Sequence, residues 1–281
     1  MKKGSWSRDI LAFKYLKPYF GDRRLSEITP KDVDDYKAFR LNDVAPATVN
    51  RELEVLRHLF NLAERWKSFF GKNPVSQAKL LPLNNQKERI LTHEEEKRLL
   101  ASSSQSLRAI VICALNTGMR KGEIITLKWS NVDLDNNVIT LEHTNTKSKK
   151  TRRIPINSVL RKLLLEQRLR TGVSDYVFLS SEGTPYLRQD SSNRAYEGAC
   201  KRANIQGLRF HDLRHTSATR MIENGASIVA VSKILGHADL KTTMRYSHPE
   251  NSLIEAVESL TRIDFSDSVT DKFTDKGETG N

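Results

Sequence analysis

The sequence predicts a mainly α protein in two helical domains, with a small antiparallel β-sheet in the second. Three observations predict this. Over the first eighty-odd residues, apolar side chains recur at spacings of three and four, the period of a helix. Residues 71–89 hold two prolines and no sustained period, which reads as a linker with a domain boundary near residue 85. From Val132 to Ile156 the pattern shortens to runs around turns, and helical spacing then resumes.

Each element follows in order. Trp6, Ile10, Phe13, Leu16 and Phe20 share one face of a first helix, and Gly21 ends it. Thr29 caps a second helix, with Pro30 at its first position and Asp32 three residues after the cap. Its stripe is Val33, Tyr36 and either Phe39 or Arg40. After Pro46, ATVNRELEVLRHLFNLAERW gives the clearest helix, with Val49, Leu53, Leu56, Phe60 and Ala63 as the buried stripe. Arg51, Arg57, His58, Arg65 and Lys67 lie largely outside that stripe. They read as a solvated face, or as contacts to phosphates.

The first domain thus spans 1–85, with the linker at about 71–89, and the second spans 90–262. Thr92 and Glu95 form a capping box at its start. SLRAIVICALNTG is a buried helix stopped by Gly118, and MRKGEIITLKW holds a short one. Short strands are expected around Val138–Leu141 and Arg153–Ile156. Helices return at SVLRKLLLEQRL, at SSNRAYEGACKRANI and from residue 212 onward. Residues 266–281 are polar with little to bury, and are expected to be disordered.

The net charge of +12 favours a polyanionic partner, and nucleic acid is the usual one. No run of about 18 apolar residues suggests a membrane span. The basic start lacks a continuous apolar stretch and a cleavage site, so a signal peptide is not expected. Cys113 and Cys200 lie in apolar helical contexts, which argues against a disulfide framework and fits a reducing cytoplasm.

The chemistry concentrates in a few short stretches. RFHDLRHTSATRM, residues 209–221, packs His211, Arg214 and His215 onto about one turn of helix. Arg120 follows the Gly118 helix stop, and Lys147 begins the run KSKKTRR. His237 follows Leu-Gly, and Tyr246 lies nine residues on. No Asp/Glu cluster suited to Mg²⁺ is evident, and no cofactor is expected. His211 and His215 have the spacing of zinc ligands, but Arg214 between them and the lack of a nearby Cys or HExxH argue against a metal site.

This inventory suits metal-free attack on a phosphodiester. Guanidiniums match the charge that develops on non-bridging oxygens. A tyrosine hydroxyl, with a reference pKa of about 10, needs an imidazole to take its proton and cations to favour the phenolate. The leaving 5′-oxygen needs a proton, which a lysine can give.

TGMRKGEI, TKSKKTRRIPI, FHDLRHTSAT and LGHADLKTTMRYSH, in this order, resemble the tyrosine recombinase (phage integrase) family over about residues 5–260. The resemblance implies a SAM-like helical core-binding domain and a catalytic domain, closing on DNA as a C-shaped clamp. It implies that Arg120 and Arg214 grip the scissile phosphate, with Glu123 orienting Arg120. Lys147, on a β-hairpin turn, would be the general acid. His211 would assist proton transfer, His237 would hydrogen-bond the phosphate, and Tyr246 would form a 3′-phosphotyrosine. Arg51, Arg57, Lys149, Lys150, Arg152 and Arg153 are expected on the DNA backbone or in solvent. His215, rotated by one residue from Arg214, is read as structural support.

The partners so implied are double-stranded DNA at recombination sites, three further copies in a tetramer on synapsed DNA, and accessory DNA-bending proteins. A monomer is expected in free solution, and a bacterial cytoplasmic, nucleoid-associated setting follows. Leu253, Ile254, Ala256, Val257 and Leu260 form an amphipathic stripe that would dock on a neighbour or in cis. Many family members carry a further N-terminal arm-binding domain, so a simpler subgroup and a shortened chain both fit.

Two other functions compete. TSATRMIENGASIVAVSKILGHADLKTTMRY has the spacing and central glycine of a helix-turn-helix, as a repressor would. That reading leaves Arg120, Lys147 and Tyr246 without a purpose. A type IB topoisomerase would use the same chemistry on one duplex, and the N-terminal helical domain favours a recombinase over it.

Overall fold

The computed structural model describes residues 6–83, 89–142, 151–186 and 189–246. The chain divides between Lys87 and Glu88 into two compact units. Among the described residues, no helix is long and apolar enough to cross a membrane.

The first unit is built from α1 (Trp6–Phe20), α2 (Pro30–Leu41), α3 (Pro46–Arg65) and the single turn α4 (Pro74–Gln77). Gly21 ends α1 at φ +59°. The Thr29 backbone N–H donates to Asp32 at 2.7 Å, and Asp32 N–H donates back to the Thr29 hydroxyl at 3.3 Å, which closes the expected capping box. Val49, Leu53, Leu56, Phe60 and Ala63 of α3 are all buried, and most of the core is their stripe packed with Val33 and Tyr36 of α2.

Two details of this unit differ from the sequence reading. The α2 stripe closes on Arg40, while Phe39 is exposed. Arg40 goes inside because Glu52 takes two of its nitrogens, at 3.0 and 2.8 Å, and also accepts from the Tyr36 hydroxyl at 2.7 Å. A buried charge is tolerated when its partner is hydrogen-bonded from both sides. In α1, Leu16 and Phe20 enter the core with Ala12, whereas Trp6, Ile10 and Phe13 are exposed. They line an open apolar groove with Val55, Leu59 and Leu62. Periodicity shows which side chains share a face, not how much of that face a neighbour covers.

Residues 71–83 of the expected linker pack onto this unit. Val75 is fully buried, and the Asn50 amide makes two 2.9 Å hydrogen bonds with the Leu81 backbone. Arg51 is exposed on α3, while Arg57 pairs with Glu54 at 2.9 Å.

The second unit runs α5 (His93–Ala101), α6 (Gln105–Thr117), α7 (Lys121–Ile125), β1 (Val132–Asp133), β2 (Val138–Leu141), β3 (Arg152–Pro155), α8 (Ser158–Thr171), α9 (Gln189–Arg202), α10 (Phe210–Glu223), α11 (Ile228–Leu235) and α12 (Lys241–Met244). The sheet is antiparallel in the order β1-β2-β3, with Ile139 opposite Val132 and Ile154. The core is centred on α6, whose Ile110, Val111, Cys113 and Ala114 are buried against α8, α9 and α10. Ile110 and Val111 each contribute about 1.5–3 kcal/mol by leaving water. The Thr92 N-cap and the Gly118 stop (φ +62°) form as expected. The sequence placed the start of α10 at residue 212; the helix begins at Phe210, capped by Asp212 accepting from Arg209 N–H at 2.7 Å.

Candidate active site

The cluster is assembled from the ends of helices and one strand. Gly118 turns the chain out of α6, and Arg120 sits at the N-cap of α7. The Arg120 backbone N–H donates to Glu123 at 2.8 Å, and its guanidinium donates to the other carboxylate oxygen at 3.1 Å. Glu123 thus orients Arg120 through both main chain and side chain. Burial works against its charge, but hydrogen bonds and charge from Arg152, then Arg120, outweigh it and hold the carboxyl below its ordinary range.

Arg152 departs from the sequence reading. It does not lie in solvent; it is buried, and it donates to Glu123 at 3.0 and 2.6 Å. The cause is the alternation of β3, which turns Arg152 and Ile154 inward and Arg153 and Pro155 outward. Arg153 is exposed, as expected.

Arg214 is buried on α10, and its two terminal nitrogens are committed. One donates to the Gly118 carbonyl at 2.7 Å and the other to the Leu235 carbonyl at 2.8 Å. These are carbonyls at the C-terminal ends of α6 and α11, where the helix dipole favours a cation. Burial first, and then the charges of Arg120 and Arg152, push its guanidinium down to about 10. Glu123 and Tyr246 act on the same group in the opposite direction. Arg120 and Arg152 pair with the carboxylate of Glu123 while Arg214 donates to backbone carbonyls, which leaves an excess of positive charge suited to an anion.

Two imidazoles border this charge. His237 follows the left-handed Gly236 (φ +69°) and is 2.8 Å from the Thr243 hydroxyl through Nδ1. Burial, then Arg214, Arg120 and Arg152, push it down to about 4. His211 keeps an exposed edge on α10. Partial burial, then His215 and Arg214, push it down to about 4 as well. Both rings are neutral at pH 7 and can hydrogen-bond an oxyanion without adding charge.

Tyr246 closes the cluster just after α12. It is 3% exposed, packs with Ala218, Val231 and Leu235, and its Oη is 2.7 Å from His215 Nδ1. The sequence reading of His215 as structural support missed this hydrogen bond. No local signal could have shown it, because the partners are 31 residues apart. Of the expected site residues, Arg120, Glu123, Arg214, His211, His237 and Tyr246 converge, and Arg152 and His215 join them. Lys147, Lys149 and Lys150 lie outside the described residues, as do the Leu253–Leu260 stripe and the 266–281 tail.

Known proteins resemble both units of the chain. Residues 85–252 match the description "Phage integrase family", and residues 6–82 match "Phage integrase, N-terminal domain". The shufflon-specific DNA recombinase of Escherichia coli is 31% identical over 240 residues, covering 80% of this chain and 59% of its own length. The integrase of Haemophilus phage HP1 is 32% identical over 263 residues, covering 88% of this chain and 72% of its own. The fold is similar to that of lambda integrase, solved as a tetramer bound to a Holliday junction, at TM-score 0.75 and 20% identity over 88% of this chain and 72% of that one. With the fold, the order of its motifs and these relatives in agreement, the chain belongs to the phage integrase family, the tyrosine recombinases.

Proposed function

We propose that the chain is a site-specific DNA recombinase that cuts and rejoins DNA through a 3′-phosphotyrosine at Tyr246, integrating or excising a mobile element. The observation that carries this is the convergence of Arg120, Arg152 and Arg214, with Glu123 among them, beside the Tyr246 hydroxyl and the imidazoles of His211 and His237. Arg120 and Arg214 neutralise the non-bridging oxygens, and His237 hydrogen-bonds one of them. The Tyr246 oxygen attacks phosphorus, the bond to the 5′-oxygen breaks, and that oxygen takes a proton from Lys147. His211 assists the proton movements. Attack by the 5′-hydroxyl of a second duplex reverses each step, and the phosphotyrosine conserves the bond meanwhile.

In this reading, Arg51, Arg57, Lys149, Lys150 and Arg153 meet the DNA backbone, and Arg152 serves the phosphate site. The first unit is the core-binding domain and the second the catalytic domain. Four copies act on two synapsed sites, assisted by DNA-bending proteins, within a bacterial cytoplasm. The net charge of +12 supports a DNA partner.

A duplex selected by binding from a random pool supplies the test. Two copies of it are placed on a supercoiled plasmid and incubated with the protein. A recombinase yields exchanged circles. A topoisomerase yields only relaxed plasmid, and a DNA-binding regulator yields neither.

A further inference from the structure

We propose that His215 is the imidazole that takes the proton from Tyr246 during attack, in place of His211. This rests on reading Tyr246 as the nucleophile. The geometry begins on α10. Arg214 is anchored by the carbonyls of Gly118 and Leu235, which fixes the rotation of the helix at the phosphate side. His215 lies one residue on, rotated by about 100°. That rotation presents it to the returning chain after α12, where its Nδ1 is 2.7 Å from the Tyr246 oxygen. The two rings are 5.5 Å apart at 48°.

Tyr246 is buried among Ala218, Val231 and Leu235. Bulk water is therefore a poor acceptor for its proton, and an imidazole nitrogen at hydrogen-bond distance is a good one. In the tautomer that carries its proton on Nε2, His215 Nδ1 accepts from the phenol O–H. His211 stands edge-on behind it, with ring centroids 5.0 Å apart at 87°. The charged and titratable groups of this cluster are His211, Asp212 and Arg214 on α10, Arg120 and Glu123 at α7, Arg152 on β3, His237 after α11 and Arg245 beside the tyrosine. The guanidiniums stabilise a phenolate once the proton has moved.

The step balances. The Oη–H proton passes to His215 Nδ1 as the Oη–P bond forms and the P–O5′ bond breaks, the 5′-oxygen being protonated separately. On rejoining, the imidazolium returns its proton to Oη as that oxygen leaves phosphorus.

The test is His215→Asn, whose amide keeps a hydrogen-bonding atom near the Nδ1 position but cannot act as a base. Single-turnover formation of the covalent complex on a nicked suicide duplex is followed from about pH 6 to 9, beside melting temperature and DNA affinity. The expected variant folds and binds DNA as the parent does, and reacts roughly 100-fold more slowly at neutral pH. Its rate climbs across the whole range, and replacing Tyr246 with a more acidic difluorotyrosine restores much of the loss. A variant that matches the parent overturns the role of His215 and leaves the nucleophile reading intact. So does a variant slowed equally at every pH and not rescued by difluorotyrosine, which shows positioning alone. If the parent also forms no covalent complex on DNA it binds, both readings fall.

Discussion

Arg152 grips Glu123 with two nitrogens, Nη1 to Oε1 at 3.0 Å and Nη2 to Oε2 at 2.6 Å, across 29 residues of sequence. The same carboxylate holds Arg120 at 3.1 Å. Glu123 is thus the joint between the strand β3 and the helix α7. Replacing it with alanine leaves two guanidiniums facing each other, one of them buried. The Glu123→Ala variant is expected to lose about 3 kcal/mol of stability in urea denaturation, as broken buried pairs do. It should also lose covalent-complex formation by more than its stability loss explains.

Gly236 and Gly225 offer a matched comparison. Both have positive φ, +69° and +82°. A Cβ at Gly236 would stand 2.8 Å from Arg152 Nη1, whereas one at Gly225 would meet nothing within 4 Å. Gly225→Ala should cost only the left-handed backbone penalty, about 1–2 kcal/mol. Gly236→Ala should cost more and should displace Arg152, so its cleavage rate should fall while that of Gly225→Ala holds. Equal effects in paired melting and cleavage assays would refute this.

Arg214→Lys tests whether the guanidinium fork matters beyond its charge. One ammonium cannot satisfy the carbonyls of Gly118 and Leu235 at the geometry seen here. Leaving one buried carbonyl without its donor should cost about 1–3 kcal/mol. Cleavage on the suicide duplex should fall even at saturating DNA.

The pH dependence follows from His211 and His237, both held to about 4. Their folded values lie below the unfolded reference of about 6.5, so the unfolded chain binds protons first. Their stabilising contribution is complete above about pH 6.5 and is lost as pH falls toward 4. The DNA-free protein should therefore melt at progressively lower temperature across that window, and His237→Gln should flatten the slope. Bound DNA should oppose the loss, because a phosphate favours the charged ring.

Much of this was legible in the sequence because it is local. The Thr29 and Thr92 caps, the Gly118 stop and the α3 stripe each depend on residues within a few positions, and all form. The Arg120, Arg214, His237 and Tyr246 positions were found through motif order, and they converge. What escaped depended on distant partners. Arg40 is inside because of Glu52, and His215 meets Tyr246 only once α10, α11 and α12 are folded together. Arg152 was hidden in a basic run, yet the alternation that turns Ile154 inward carries Arg152 with it.

Recombination by this site requires Tyr246 to become covalently joined to DNA. The most direct measurement incubates the protein with a nicked suicide duplex of the selected sequence, in EDTA, beside Tyr246→Phe, and resolves the products in SDS. The expected result is an SDS-resistant protein–DNA band that peptide mapping assigns to Tyr246, and none with the phenylalanine variant. A band that persists with Tyr246→Phe, or tight DNA binding with no band at all, would contradict it.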